Sequence, residues 1–289
     1  MKTKKIFLKI AVSIVGLFLI IPNAGAQTTA IKKAVEDIKD SVDLLIGAKD
    51  NDTESLAFRL ETFKKVTDLA ITEAKDLKIK IIAFETENKE IKIWKENQIE
   101  KLNKAIEYYS NQQEIIADQK EIGLDDLKKI AQELRDWRET NFRTIAEETG
   151  NFFLIQQENK AIETAQKRFQ KIKKDVEKLK TQKIKNIKRV DAYLEKSEKL
   201  ISKSLATNQE AMTMFWKNIE VASSSKSIVI EEEKEIVKTS ASSTDAAEKL
   251  APEKQEPSIK DLVYTSLDDL KGTYQTFIEL SNLVRELLK

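Results

Sequence analysis

The sequence predicts an all-α protein: an elongated antiparallel helical bundle, coiled-coil-like, whose C-terminal helix packs back onto it after a linker. Three observations carry that expectation. Apolar side chains recur four and three residues apart over most of the chain, the spacing of a helix seam. Proline is absent from Asn23 to Ala251. Six glycines in 289 residues are too few for the many tight turns a β protein of this length needs.

The first 26 residues read as a secretory leader. Lys2, Lys4 and Lys5 precede an apolar run from Ile10 to Ile21, which Pro22 and Asn23 break. Ala24-Gly25-Ala26 then supplies the small residues a signal peptidase reads, so cleavage is expected before Gln27. The alternative is an uncleaved membrane anchor, for which the run falls short of the roughly 20 residues that span a bilayer. Its removal takes away Lys2, Lys4, Lys5 and Lys9 and turns the chain's net charge of +1 into −3.

Beyond the leader, residues 27–221 read as the bundle. The first helix is expected over 29–46, with Ile31, Val35, Ile38, Val42 and Leu45 on one seam and Gly47 as its stop. The second starts near Asn51, where Asn51 and Glu54 fit a capping box. Leu56, Leu60, Phe63, Ala70, Ala74, Leu77, Ile81 and Phe84 form its seam, with Thr67 the polar exception. Leu77-Lys-Ile-Lys-Ile81 alternates like a strand, but helix formers flank it and no turn residue bounds it, which favours helix.

Thr86 and Asn88 interrupt the pattern, and a hairpin or kink is expected at 85–90. A third helix over 91–120 carries Ile91, Trp94, Leu102, Ile106 and Tyr109, and Gly123 ends that region. A fourth, from Leu124 to about Glu148, turns Leu127, Ile130, Leu134, Trp137 and Ile145 inward. After Gly150 come Ile155, Ile162, Phe169 and Val176, seven apart, with Ala165, Ile172 and Leu179 as the second seam. The pattern slips near Lys183 and resumes through Ile187, Val190, Leu194, Ile201, Met212, Phe215 and Ile219. Unbroken, 151–219 would be a helix of about 100 Å.

Serines, threonines and Pro252 mark 222–257 as a linker. The last helix, 258–289, opens with Ser258 and Asp261 in an acidic capping box. Val263, Leu267, Leu270, Tyr274, Phe277, Val284 and Leu288 are its expected seam, with Ser281 the polar member. It reads as an amphipathic helix that folds back on the bundle; the alternative is a dimerising coiled-coil strand.

Four stretches look like a family of exported bacterial helical-bundle proteins with no established activity. They are Glu61-Thr-Phe-Lys-Lys-Val-Thr-Asp-Leu-Ala70, Leu134-Arg-Asp-Trp-Arg138, Gly150-Asn-Phe-Phe-Leu-Ile-Gln156 with Ala165-Gln-Lys-Arg-Phe169, and the closing helix. The resemblance implies an exported helical protein. It supplies no functional residues.

Composition excludes much chemistry. With no Cys and no His there is no zinc finger, no His-served nucleophile, no disulfide and no lipoprotein cysteine. Helical di-iron sites need Glu-x-x-His, and no Gly-rich phosphate loop is present. Carboxylates are abundant, but nothing singles out an acid–base pair. No cofactor and no enzymatic activity are expected. Asp50, Asp52, Glu54 and Glu61 share the spacing of a calcium loop, yet Ser55 stands at the turn position that needs Gly, so an acidic helix-capping loop explains them better.

Charge is the sharpest local feature. Between Lys167 and Arg189 lie 11 basic residues against Asp175 and Glu177, a segment charge of +9. Lys167, Arg168, Lys171, Lys174, Lys178, Lys185, Lys188 and Arg189 are the candidates for binding an anionic surface. The competing reading is a solvated helix face. Nucleic acid is the weakest partner, because no aromatics interleave to stack on bases.

Trp94, Trp137, Trp216, Tyr108, Tyr109, Phe152 and Phe153 read as packing rather than as a ligand cleft, and Met212, Met214, Phe215 and Trp216 as a dense apolar cluster that could mark a contact surface. The functional expectation is an exported, non-enzymatic scaffold or binding protein of the cell envelope or exterior, with a protein, an envelope polymer or another copy of itself as partner. The alternative is a membrane-active, pore-forming-like protein that binds anionic membranes.

Overall fold

The computed structural model describes residues 53–118, 123–181, 188–228 and 257–287. Among these the protein is all-α, as the seam spacing predicts, and contains no strand. The expected leader, the helix over 29–46, the calcium-like loop apart from its helical end, and residues 229–256 of the linker lie outside the described residues. The stretch read as one bundle divides between Gly150 and Asn151 into two compact units.

In the first unit, α1 (Thr53–Ala83) and α2 (Lys89–Asp118) form an antiparallel hairpin. The break falls where Thr86 and Asn88 interrupt the seam. Asn88 Oδ1 accepts the Glu90 and Ile91 N–H groups at 2.8 and 3.1 Å, so it caps α2. Thr86 Oγ1 in turn accepts the Asn88 N–H at 3.2 Å. Lys95 Nζ donates to the Phe84 carbonyl across the turn. At the far end, Gln113 Nε2 donates to Thr67 Oγ1 at 2.9 Å and to Asp68 Oδ1 at 2.7 Å. Thr67, the polar exception of the seam, is thus buried with its hydroxyl bonded on both sides. The segment with strand-like alternation is helical: Ile81 is buried and Ile79 exposed.

The helix expected from Leu124 to about Glu148 is interrupted. α3 (Leu124–Trp137) passes into a π turn, Arg138–Phe142, and then into α4 (Arg143–Thr181), which runs straight through Gly150. The spacing explains the π turn. Leu134, Arg138 and Phe142 are all buried, four and then four residues apart, one residue more than a four–three seam holds. The wider turn absorbs the surplus, with the Arg143 N–H donating to the Arg138 carbonyl five residues back. Gly150 stays helical because its cost relative to alanine is only about 1 kcal/mol. The buried Ile145, Thr149, Phe152 and Ile155 on the same helix outweigh it.

Gln98 Nε2 and Lys101 Nζ both donate to Glu148 Oε2, the lysine at 3.2 Å. Together with Tyr108 on Trp137 (ring centroids 3.9 Å apart), this sets the third segment antiparallel to α2. Phe63, Ala70, Ala74, Ile81, Trp94, Leu102, Tyr109, Leu127 and Leu134, all seam positions, are buried here.

The second unit is an up–down–up arrangement of α4 from Asn151, α5 (Lys188–Ile228) and α6 (Ile259–Leu287). α4 is described to Thr181 and α5 from Lys188, so the expected slip near Lys183 lies outside the described residues. The chain then doubles back, with Lys180–Asp191 at 2.7 Å and Lys173–Glu198 at 3.8 Å. α5 continues to Ile228, seven residues past the expected bundle boundary at 221.

α6 returns antiparallel to α5, with Lys203–Asp269 at 3.0 Å and Ser204 bonded to Ser266. Ile162, Ala165, Phe169, Val176, Val190, Leu194, Ile201, Leu270, Phe277, Leu280 and Leu283 form one core. Leu270, Phe277, Leu280 and Leu283 of α6 are therefore covered within its own unit. Its capping box is present: Asp261 N–H donates to Ser258 Oγ at 3.2 Å, and Ser258 N–H donates to Asp261 Oδ2 at 3.0 Å. Val263, Leu270 and Phe277 of the expected seam are buried, and its second line is displaced by one residue. Ser266 and Thr273 are fully buried, while Leu267 and Tyr274 flank the core and Ser281 is exposed. Small polar side chains fit the helix contact once their hydroxyls are bonded, and the larger side chains pack beside it.

Candidate functional site

Seven of the eight cationic candidates are described, and all seven are exposed: Lys167, Arg168, Lys171, Lys174 and Lys178 on α4, Lys188 and Arg189 on α5. Lys185 lies outside the described residues. The structure does not join them into a single site. Lys178 pairs with Asp175 at 3.3 Å. Lys188 and Arg189 stand at the start of α5.

Four do come together. Lys167, Lys171 and Lys174 line a surface hollow of about 470 Å³ with Glu163, Gln166 and Gln170. Arg168 and Lys171 line a second hollow of about 500 Å³, between α4 and α6. Lys171 belongs to both, so the hollows adjoin.

The α4–α6 hollow has an apolar floor of Ile172, Tyr274, Phe277 and Ile278. Ser281, Asn282 and Arg285 supply donors from α6. The Arg168 guanidinium lies over the Tyr274 ring, 5.2 Å from its centroid, which holds the charge at the rim. Arg285, Asn282 and Tyr274 escape sequence reasoning because α6 reaches α4 only through the fold. Among the described residues, Lys167, Arg168, Lys171, Lys174 and Arg285 form no ion pair.

Two buried polar groups stand apart from that surface. In the first unit, Arg138 on the π turn donates to Glu73 Oε2 at 2.8 Å and to the Tyr109 hydroxyl at 3.4 Å. Burial pushes the Glu73 carboxyl up while the guanidinium pulls it partly back, and burial holds the Tyr109 hydroxyl well above its usual range. The Tyr109 ring meets Trp137 and Phe142 edge-on, at centroid separations of 5.3 and 5.8 Å, and the Arg138 guanidinium lies over the Phe142 ring, 4.8 Å from its centroid.

In the second unit, Glu158 is 2% exposed and accepts the Ser266 hydroxyl at 2.8 Å. Its Oε2 and the Oδ1 of buried Asn208 accept no hydrogen bond among the described residues. Desolvation raises the Glu158 carboxyl above its ordinary value, against the pull of the Ser266 and Ser204 hydroxyls.

The remaining aromatics pack. Trp94 and Phe152 are buried, and Phe215 sits 5.7 Å from Phe152 and 5.1 Å from Trp216 between ring centroids. Met212, Met214 and Trp216 are half-buried around it. Among the described residues no three acidic side chains converge to hold a metal ion, and no helix is long and apolar enough to cross a membrane. Comparison of the chain with protein-family models, with curated proteins and with solved structures finds no match.

Proposed function

We propose that this chain is an exported, non-enzymatic helical binding protein of the cell envelope or exterior, and that its second unit binds an anionic partner through the α4 face. One observation carries the reading: Lys167, Arg168, Lys171 and Lys174, joined by Arg285 of α6, stand exposed around two adjoining hollows without an ion pair among the described residues. A solvated face in a chain with 49 acidic residues would ordinarily be laced with i,i+4 pairs. Such pairs do occur elsewhere, at Lys65–Glu61, Lys104–Glu100 and Lys199–Glu195. Where they are missing, the field is left to an outside anion.

Export rests on the Lys2–Ala26 pattern, and the resemblance to an exported helical family rests on Glu61–Ala70, Leu134–Arg138, Gly150–Gln156 with Ala165–Phe169, and the closing helix. Two measurements test the reading. N-terminal sequencing of the exported protein is expected to begin at Gln27. The processed chain, 27–289, is expected to bind polyphosphate at low salt, to lose affinity as salt rises, and to weaken about tenfold in the triple variant Lys167→Gln, Lys171→Gln, Lys174→Gln, at roughly 1 kcal/mol or less per exposed charge. Polyphosphate binding that is absent, or indifferent to those three lysines, removes the anionic reading.

A further inference from the structure

We propose that the α4–α6 hollow is a headgroup site for an anionic phospholipid, with the phosphate held by Arg168, Lys171 and Arg285 and the adjoining acyl carbons lying on Ile278. The proposal rests on the anionic reading above and names the occupant of that face.

Three features of the hollow select it. Its charged residues are all cationic: Arg168 and Lys171 from α4 and Arg285 from α6. Its other polar residues, Ser281, Asn282 and the Tyr274 hydroxyl, can all donate. Guanidinium groups present forked donors that match phosphate oxygens, and Arg168 is already positioned by the Tyr274 ring. Beside the charges, the floor is apolar, and Ile278 is 63% exposed although it is a large aliphatic side chain. An inorganic anion has no use for that floor. A phospholipid has the two halves the site offers, a charged headgroup and a hydrocarbon tail.

The hollow offers about 500 Å³, room for a headgroup and the first carbons of one chain. The exposed apolar residue and the cations on one face also suit a protein that lies on a membrane, since no described helix is able to cross one.

The test is co-sedimentation of the processed chain with vesicles of phosphatidylglycerol in phosphatidylcholine, with pure phosphatidylcholine vesicles and polyphosphate as separate arms. Arg168→Gln with Arg285→Gln is expected to lower vesicle affinity about tenfold or more. Lys178→Gln with Lys188→Gln removes the same charge outside the hollow and is expected to change affinity less than twofold. Ile278→Asn is expected to weaken vesicle binding and leave polyphosphate binding unchanged. All four charged positions and Ile278 are exposed, so the variants are expected to keep the helical circular dichroism of the parent.

Equal losses in the two charge pairs overturn the headgroup site and leave a diffuse anionic face. Binding to polyphosphate but not to vesicles overturns the lipid and keeps an anionic polymer as partner. Failure to bind either polyphosphate or phosphatidylglycerol vesicles overturns this proposal and the anionic reading together.

Discussion

Arg138 reaches 2.8 Å from Nη2 to Oε2 of Glu73, tying the π turn of the third segment to the middle of α1 with both side chains under 10% exposed. A charge pair out of water is costly to assemble and worse to break, because the remaining partner is left buried and uncompensated. Glu73 Oε1 accepts no hydrogen bond among the described residues, so the carboxylate is only half satisfied even now.

Arg138→Met alone is therefore expected to destabilise the protein by about 3–5 kcal/mol. Adding Glu73→Leu is expected to recover most of that loss, since a packed apolar pair of similar size no longer strands a charge. Urea unfolding of the two variants decides it; a double variant as unstable as the single would show that the pair itself, not the stranded acid, carries the stability.

Glu158 is expected to make the second unit less stable as pH rises from the ordinary carboxyl range. Its folded pKa is raised, so its contribution is fully present below the ordinary carboxyl range and is lost as pH rises through the folded value. Glu158→Gln keeps the shape, cannot ionise, and is expected to flatten that dependence and raise stability at pH 8 by on the order of 1 kcal/mol. Urea midpoints at pH 5 and pH 8 that fall in parallel for parent and variant would exclude Glu158 as the titrating group.

Asn88→Ala removes the acceptor for two N–H groups at the start of α2 and is expected to cost about 1 kcal/mol. Asn88→Asp, which keeps an acceptor there, is expected to lose little. Thermal unfolding of the pair separates a cap from a mere surface position.

Gly150→Ala is expected to stabilise by about 0.5–1 kcal/mol, because the residue is helical and an added Cβ meets nothing within 4 Å. A lowered melting temperature in this variant would mean the glycine is needed at that point of α4.

How far these features could be read in advance differs by their physical origin. The buried Phe63, Ala70, Ala74, Ile81 and Leu102 repeat locally, so spacing alone locates them. The α1–α2 break was also legible, because Thr86 and Asn88 both compete with the helix backbone for hydrogen bonds. Arg138 was not. Charged residues seldom point inward, and its partner lies 65 residues away on another helix. The π turn was hidden for the same reason, since the surplus residue shows only when Arg138 is counted as core.

At the candidate site, Arg168, Lys171 and Lys174 stood out as part of a charge run. Their companion Arg285 did not, because a helix beginning at Ile259 reveals its neighbour only after folding. Hydrophobicity locates Val263, Leu270 and Phe277 in the α6 seam but not its second line: Ser266 and Thr273 are buried through the bonds their hydroxyls make, Ser266 with Glu158 and Ser204, Thr273 with the Asp269 carbonyl.

The reciprocal bonds between Ser258 and Asp261 make the final helix self-delimiting. Its first turn is written into four consecutive residues and takes no phase information from upstream, so insertions or deletions ahead of Pro257 can accumulate without rotating Leu270, Phe277 or Arg285 away from the faces they now occupy.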